Sequence, residues 1–341
     1  MSRRTVSLIV LALTLLLLLW LVPDVLLVVF AGALLGVFLH VGGGFIARHT
    51  RLPHGLGVLV FVLLLIGAGA LLGLLAARPL AEQANELWRQ VPATVNSITE
   101  RLNHYSWGQE LLQRLQPEKL NLPSGGGRSA FTILGSTFGA LGDVVLILFL
   151  GLYFAIDPGL YRRGIVLLLA PSLRPKAERV CQEIAETLRG WLGAQLTAMA
   201  VVGSLTGIGL WLVGIPLAPL LGVIAALLAF IPTIGPVLSA VPGVLLGLSQ
   251  GGSGALLALG VYVGVQSLET YLITPFVQKR QVNLPEALTI VAQLGFGLLF
   301  GFMGLTLATP IAAVLLMLGR RLYVDDYLEV EPPGERRILP G

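Results

Sequence analysis

Apolar runs as long as a lipid bilayer requires recur along the whole chain, and they constrain the fold more than any other feature. LIVLALTLLLLLWLV occupies positions 8–22, and further runs follow as far as residue 319. A membrane-crossing α-helix needs about 18 or more such residues. The strands of an outer-membrane barrel would instead alternate apolar with polar residues, and these runs do not. Only 12% of the 341 residues are charged and 55% are hydrophobic, whereas a soluble globular domain carries about 25% charged residues. Too little polar surface remains to cover a water-soluble particle, which excludes a cytosolic enzyme. The chain reads as an all-α polytopic membrane protein, with about six full transmembrane helices, two broken or re-entrant helical hairpins and a small helical extracytoplasmic segment.

The formal charge is +4. In a membrane protein this marks a cytoplasmic side and does not point to a nucleic-acid partner. Cys181 is the only cysteine, so an internal disulfide and a metal-thiolate site are both excluded. No cofactor or metal is expected. Arg3 and Arg4 precede the first run, which is longer than a signal-peptide core and has no small-residue cleavage site after it. Residues 5–22 therefore read as a retained signal-anchor helix.

Residues 1–77 form the N-terminal transmembrane region, with spans at 5–22, 25–46 and 55–77 and a turn at Pro23-Asp24. Residues 78–129 change character. They carry Arg78, Glu82, Glu86, Arg89, Glu100 and Arg101, while Leu87, Val91, Val95, Ile98, Leu102 and Tyr105 recur at helical spacing. That pattern predicts an extracytoplasmic amphipathic helix, packed on its own domain or on a neighbouring subunit. NLPSGGGRS at 121–129 is a linker by composition. A span at 130–156 ends at Asp157-Pro158, and 157–190 is a basic cytoplasmic loop and helix. Residues 191–321 form the expected transport core, and 322–341 a charged cytoplasmic tail.

Two segments of that core are apolar yet interrupted. The run 218–249 contains Pro232, Thr233, Gly235, Pro236 and Pro242, and 284–319 contains GFGLLFGFMG at 295–304. Proline removes a helical hydrogen bond and clashes with the preceding turn. Two hairpins explain these segments better than two straight helices, although full crossings remain the alternative. Hairpins also put Lys279 and Arg280 on the side that carries Arg3, Arg48, Arg162 and Arg320, as the positive-inside rule prefers. Both N- and C-termini then lie in the cytoplasm. Paired broken segments point to a transport site, because backbone freed from helical bonding is tolerated at membrane depth only in protein or facing a cavity.

Two carboxylates fall within apolar spans. Glu269 has Gln266 three residues before it, on the same helical face. Asp143 follows Gly135 and Gly139 at four-residue spacing, so a close-packed, bundle-facing surface is expected for it. Intramembrane carboxylates are candidates for function because burying them is costly. Gly32/Gly36, Gly203/Gly207, Gly243/Gly247 and Gly297/Gly301 are further small-xxx-small pairs. Catalytic motifs are weak. No phosphate-binding loop is present, and GLSQG at 247–251 matches a nucleophile elbow only by chance. His40, His49, His54 and His104 all lie in the N-terminal third, far along the chain from that serine.

Tyr153-Phe154 with Asp157, FIPTIGPVLSAVP at 230–242, the Gln266, Glu269 and Pro275 run, and GLLFGFMGLTLATPIAAV at 297–314 together resemble the AI-2E family of transporters, also described as PerM-like permeases. The resemblance runs end to end and is strongest over 150–318. Members often carry Asn before F-I-P, where this chain has Ala229, and polar residues where it has Tyr271 and Thr274. The resemblance implies a multi-pass protein of the cytoplasmic (inner) membrane and a homo-oligomer, with a pentamer among the family's forms. It also implies either export of an autoinducer-2-like signalling molecule or exchange of H+ for a cation such as Na+. The expected function is thus secondary transport, not catalysis. Glu269 would bind the ion or substrate beside Gln266. Asp143, the tip residues Pro232, Thr233, Gly235 and Pro236, Pro275, and the glycines Gly295, Gly297 and Gly301 complete the candidate site. An uncoupled channel-like pore, or a membrane scaffold using 78–129, are the alternatives.

Overall fold

In the computed structural model the described residues are Leu13, Thr14, Leu17, 20–103, 129–273 and 285–328. Most of the first predicted span, Tyr105, His104, the linker at 121–128, Pro275, Lys279, Arg280 and the tail beyond 328 lie outside them. All described elements are helical, with no strand among the described residues. The chain divides into two compact units, one of residues 1–61, 147–194 and 278–341 and the other of residues 62–146 and 195–277.

Helix α1, Pro23–Thr50, starts where its sequence says it should. Pro23 takes the first helical position and Asp24 sits in the first turn, where a fixed φ and a negative charge both suit the helix N-terminus. Arg51, with φ 58°, ends it. Helix α2 then runs unbroken over His54–Asn103, 50 residues or about 75 Å. The boundary at 77/78 therefore falls inside a continuous helix. The amphipathic residues Leu87, Val91, Val95, Ile98 and Leu102 lie on it, but their side chains are outside the described set. Helix α3, Ser129–Ile156, is followed after an 89° bend by α4, Pro158–Leu167. The Asp157 carboxylate accepts from the Leu160 N–H at 3.0 Å, which caps α4, and such caps are worth about 1 kcal/mol. Phe154 and Tyr161 stack edge-to-face across the corner, with centroids 4.7 Å apart.

Within the first unit, α1 and α3 approach closely through glycine. A Cβ added at Gly32 would lie 2.7 Å from Leu150 Cβ, and one at Gly36 2.7 Å from Phe154 Cβ. Gly151 faces Leu35 in return. The Gly32/Gly36 pair is therefore a packing surface, as its spacing implies.

Helix α5, Arg174–Leu212, is one continuous helix, so the predicted cytoplasmic helix at 175–190 runs straight into the predicted fifth span. Helices α6 (Ala218–Leu228), α7 (Ile234–Ser249) and α8 (Gly252–Leu268) follow. Leu210, Ile215, Ala218, Leu221, Leu246, Ala258 and Tyr262 form the buried core they share. Helix α6 has 11 residues, about 16 Å, too short for a hydrocarbon core of about 30 Å. It packs instead on α7. The 218–249 segment is thus a helical hairpin. From Glu269 to Ile273 the helix widens into a π-turn.

Helix α9, Glu286–Gly319, is interrupted at Gly301, where φ is 62° and ψ −144°. A straight helix would hold residues 293 and 309 about 24 Å apart. Gln293 instead donates to the Thr309 hydroxyl at 3.4 Å, with both side chains buried. Phe296 O lies against Gly304, so the chain doubles back at Gly301. The second interrupted segment is therefore also a helical hairpin, with its break at Gly301 alone. Gly295 and Gly297 sit inside the arm preceding it.

Among the described residues four helices can cross a membrane by length and composition, Pro23–Thr50, His54–Leu71, Arg174–Leu212 and Glu286–Val324, and a fifth counts if the bent α3–α4 pair is one span. The fold is that of an all-α multi-pass membrane protein. The count stays below the six expected because the first predicted span lies largely outside the described residues and α8 has only 17 residues. Glu286–Val324 qualifies by composition but is folded on itself at Gly301.

Candidate functional site

The tip of the α6–α7 hairpin is built from two chain breakers and one strained residue. Pro232 ends the α6 side, and the Ile234 N–H donates back to Pro232 O at 2.7 Å. Thr233 between them has φ 68° and ψ −54°. This is the positive-φ form of the γ-turn, which is rare and strained. A β-branched residue is a clear outlier there, and such strain costs on the order of 1–3 kcal/mol. Gly235 lies directly against the Leu228 carbonyl oxygen, where a Cβ would collide. Its N–H donates to Ile231 O at 2.9 Å. Pro236 O accepts from the Ser239 hydroxyl at 2.9 Å. The tip is therefore over-determined by its surroundings.

The sequence reading missed Gln195. It sits on α5, is only 8% exposed, and donates through Nε2 to the carbonyl of Ala229 at the hairpin tip. That carbonyl stands at the C-terminal end of a half-helix, where orphan acceptors need a partner. An amide within an apolar span was the available signal, but its partner is 34 positions away.

Val265 of α8 shares a buried cluster with Val202, Ala225 and Ala229. The next residue is Gln266, whose Nε2 donates to Glu269 Oε2 at 3.0 Å. Both side chains are half-buried. Glu269 also opens the π-turn, and such wide turns recur at functional sites. Among the described residues no basic group forms an ion pair with this carboxylate. The geometry supplies one anionic oxygen pair, a neutral amide that steadies it, and a helix whose backbone is irregular at that point.

The other candidates divide. Pro232, Thr233, Gly235, Pro236, Gln266 and Glu269 belong to one unit. Gly295, Gly297 and Gly301 belong to the other, where Gly301 forms the break and Gly297 faces Leu305. Asp143 is exposed. Spacing sets Gly135, Gly139 and Asp143 on one face, and no described element covers Asp143. Pro275 lies outside the described residues.

The profile of the AI-2E family transporters matches residues 8–322. The chain belongs to the AI-2E transporter family. Relatives carry transport names as well. "Putative transport protein YueF" of Bacillus subtilis is 27% identical over 283 residues, 78% of this chain and 76% of YueF. A "Putative transport protein" of Haemophilus influenzae is 24% identical over 277 residues, 78% of each chain. "Putative transport protein MT0215" of Mycobacterium tuberculosis is 28% identical over 224 residues, 64% of this chain and 60% of MT0215. In this AI-2E family member the matched region takes in both helical hairpins and the Gln266–Glu269 pair.

Proposed function

We propose that this AI-2E family transporter is a secondary transporter of the cytoplasmic membrane, and that Glu269 is the group that binds the transported ion. The observation that carries the reading is the Glu269 carboxylate itself. It is half-buried, held by the neutral amide of Gln266, and set where α8 gives way to a π-turn. A carboxylate in an apolar span is costly unless neutralised. A proton or a small cation such as Na+ neutralises it, and alternation between the two is an exchange cycle. The strained α6–α7 tip belongs to the same unit as Glu269, and it is the element that alternating access would move. Export of a small polar solute coupled to the same carboxylate is the other form of this reading. Both termini would be cytoplasmic and the working form a homo-oligomer.

The test is flux in proteoliposomes carrying a pH-sensitive dye inside. Pulses of Na+, K+ or Li+ outside should change the internal pH for the wild type and not for Glu269→Gln. A pH change of equal size in both would remove Glu269 from the mechanism. Solute flux that follows its own gradient with no counter-ion would point to a pore.

A further inference from the structure

A polar cavity lies entirely within the unit of residues 1–61, 147–194 and 278–341. It has a volume of about 440 Å³ and is bounded by His40, Arg48, His54 and Arg189, with Gly44 and Ala47 leaving the room. No carboxylate lines it. The four groups come from α1, α2 and α5, so distant parts of the sequence converge on one volume. We propose that this cavity binds a phosphate-type oxyanion.

Charge is the first argument. Two other arginines of this unit have carboxylate partners: Arg162 lies 3.7 Å from Glu178, and Arg321 lies 3.3 Å from Glu183. Among the described residues Arg48 and Arg189 form no ion pair. Arg48 uses Nε to donate to Gly44 O at 3.2 Å, which fixes the guanidinium and leaves its two terminal nitrogens available. Two guanidiniums facing one cavity repel each other, and an oxyanion between them turns that repulsion into attraction. Planar guanidiniums also match phosphate oxygens with paired N–H donors.

The histidines supply the second argument. His40 Nδ1 lies 3.0 Å from Ala155 O and 2.8 Å from His54 Nε2. A carbonyl only accepts, so one of the two imidazoles supplies the proton that Ala155 O receives. With that proton on His40, neutral His54 accepts at Nε2 and bears its own proton on Nδ1. That nitrogen lies on the Gly44 side of the ring, 3.8 Å from a Cβ built on Gly44, and Gly44 lines the cavity. In that tautomer His54 offers the cavity a donor at Nδ1. The arrangement gives three donors, from Arg48, His54 and Arg189, and no acceptor to oppose an anion. The cavity is several times larger than a bare phosphate, so it has room for an organic group attached to the phosphorus.

Two sources share this chemistry, a phospholipid headgroup and a soluble phosphate ester, and the experiment separates them. The full chain is purified in non-ionic detergent and its melting temperature followed against inorganic phosphate. In parallel it is placed in phosphatidylcholine nanodiscs with and without phosphatidylglycerol, and retained lipid is read by native mass spectrometry. The comparison uses wild type, Arg189→Gln, Arg48→Gln with Arg189→Gln, and Arg162→Gln as a charge-matched control. Wild type and the control should be stabilised by phosphate or should retain phosphatidylglycerol. Arg189→Gln should weaken whichever is seen by about tenfold, the loss of one charged hydrogen-bonding group. Arg189 is exposed, so this single change keeps the test valid even where the double variant does not fold. Stabilisation by phosphate alone identifies a soluble ester, and retention of phosphatidylglycerol alone identifies a lipid. Equal response of wild type and Arg189→Gln to both probes, or no response of wild type to either, overturns the proposal.

Discussion

Gln293 and Thr309 meet at 3.4 Å although 16 positions separate them, as they can only where the apolar 286–319 run doubles back at Gly301. Cysteines placed by Gln293→Cys and Thr309→Cys, in a Cys181→Ser background, should be joined by a short bifunctional thiol reagent. The readout is a mobility shift after cleavage between the two sites. A straight helix would hold the positions about 24 Å apart and give no such product.

At the other hairpin, Gly235 and Thr233 should respond in opposite directions. Gly235→Ala puts a methyl group onto Leu228 O and should destabilise by about 1–3 kcal/mol, the usual cost of overpacking. Thr233→Gly removes a β-branched residue from a φ of 68° and should stabilise by about 1 kcal/mol. Thermal unfolding in detergent reports both. A transport rate that falls in the stabilised Thr233→Gly chain would show that the strain is used in the cycle.

Gln195→Leu keeps the side chain's bulk but leaves the Ala229 carbonyl without its donor. A buried acceptor stripped of its partner costs about 1–3 kcal/mol. The melting temperature should fall, and proteolysis near 229–233 should quicken. Unchanged melting would mean that the tip finds another partner.

His40→Phe preserves an aromatic ring but cannot donate to Ala155 O or to His54. The loss should be about 1–2 kcal/mol, seen as a lower melting temperature. His40→Gln, whose amide can donate to that carbonyl, should recover part of it.

The two carboxylates singled out by sequence should separate cleanly. Asp143→Asn, at an exposed position, should leave ion-coupled flux within about twofold of wild type, since exposed changes away from special features shift energies by only about 0.5 kcal/mol. Glu269→Gln should abolish it in the same assay.

What could be read in advance was what local chemistry dictates. Pro232, Gly235 and Pro236 announce a break because proline and glycine act on the backbone where they stand, and Gly301 lay within the glycine-rich stretch flagged for the second hairpin. Gln266 and Glu269 share a face because three residues is nearly one helical turn. Periodicity failed where a third body decides. The spacing of Gly135, Gly139 and Asp143 fixes a common face but not what covers it. Gln195 could not be matched to Ala229, nor His40 to Ala155, because those pairings arise only when helices pack. The change from apolar to polar residues near 78 is a change of composition and not of backbone, and the helix-forming residues Glu82, Gln83, Glu86 and Gln90 carry α2 straight through it.

The shortness of α6 bears on electricity as well as on shape. Were the hairpin to enter the bilayer from one face, its 11 residues would reach only about 16 Å into a layer about 30 Å deep, and the backbone around Thr233 would end where lipid cannot satisfy it. Water or protein has to meet it there, and water that enters a membrane carries the potential of its own side with it. With water at the tip, the voltage that elsewhere falls gradually would be compressed into the thin remaining insulator there. A charge carried past that point crosses most of the potential in one short step, worth about 2.3 kcal/mol per 100 mV. Turnover of a charge-moving cycle through this hairpin would therefore follow the resting voltage of the cell.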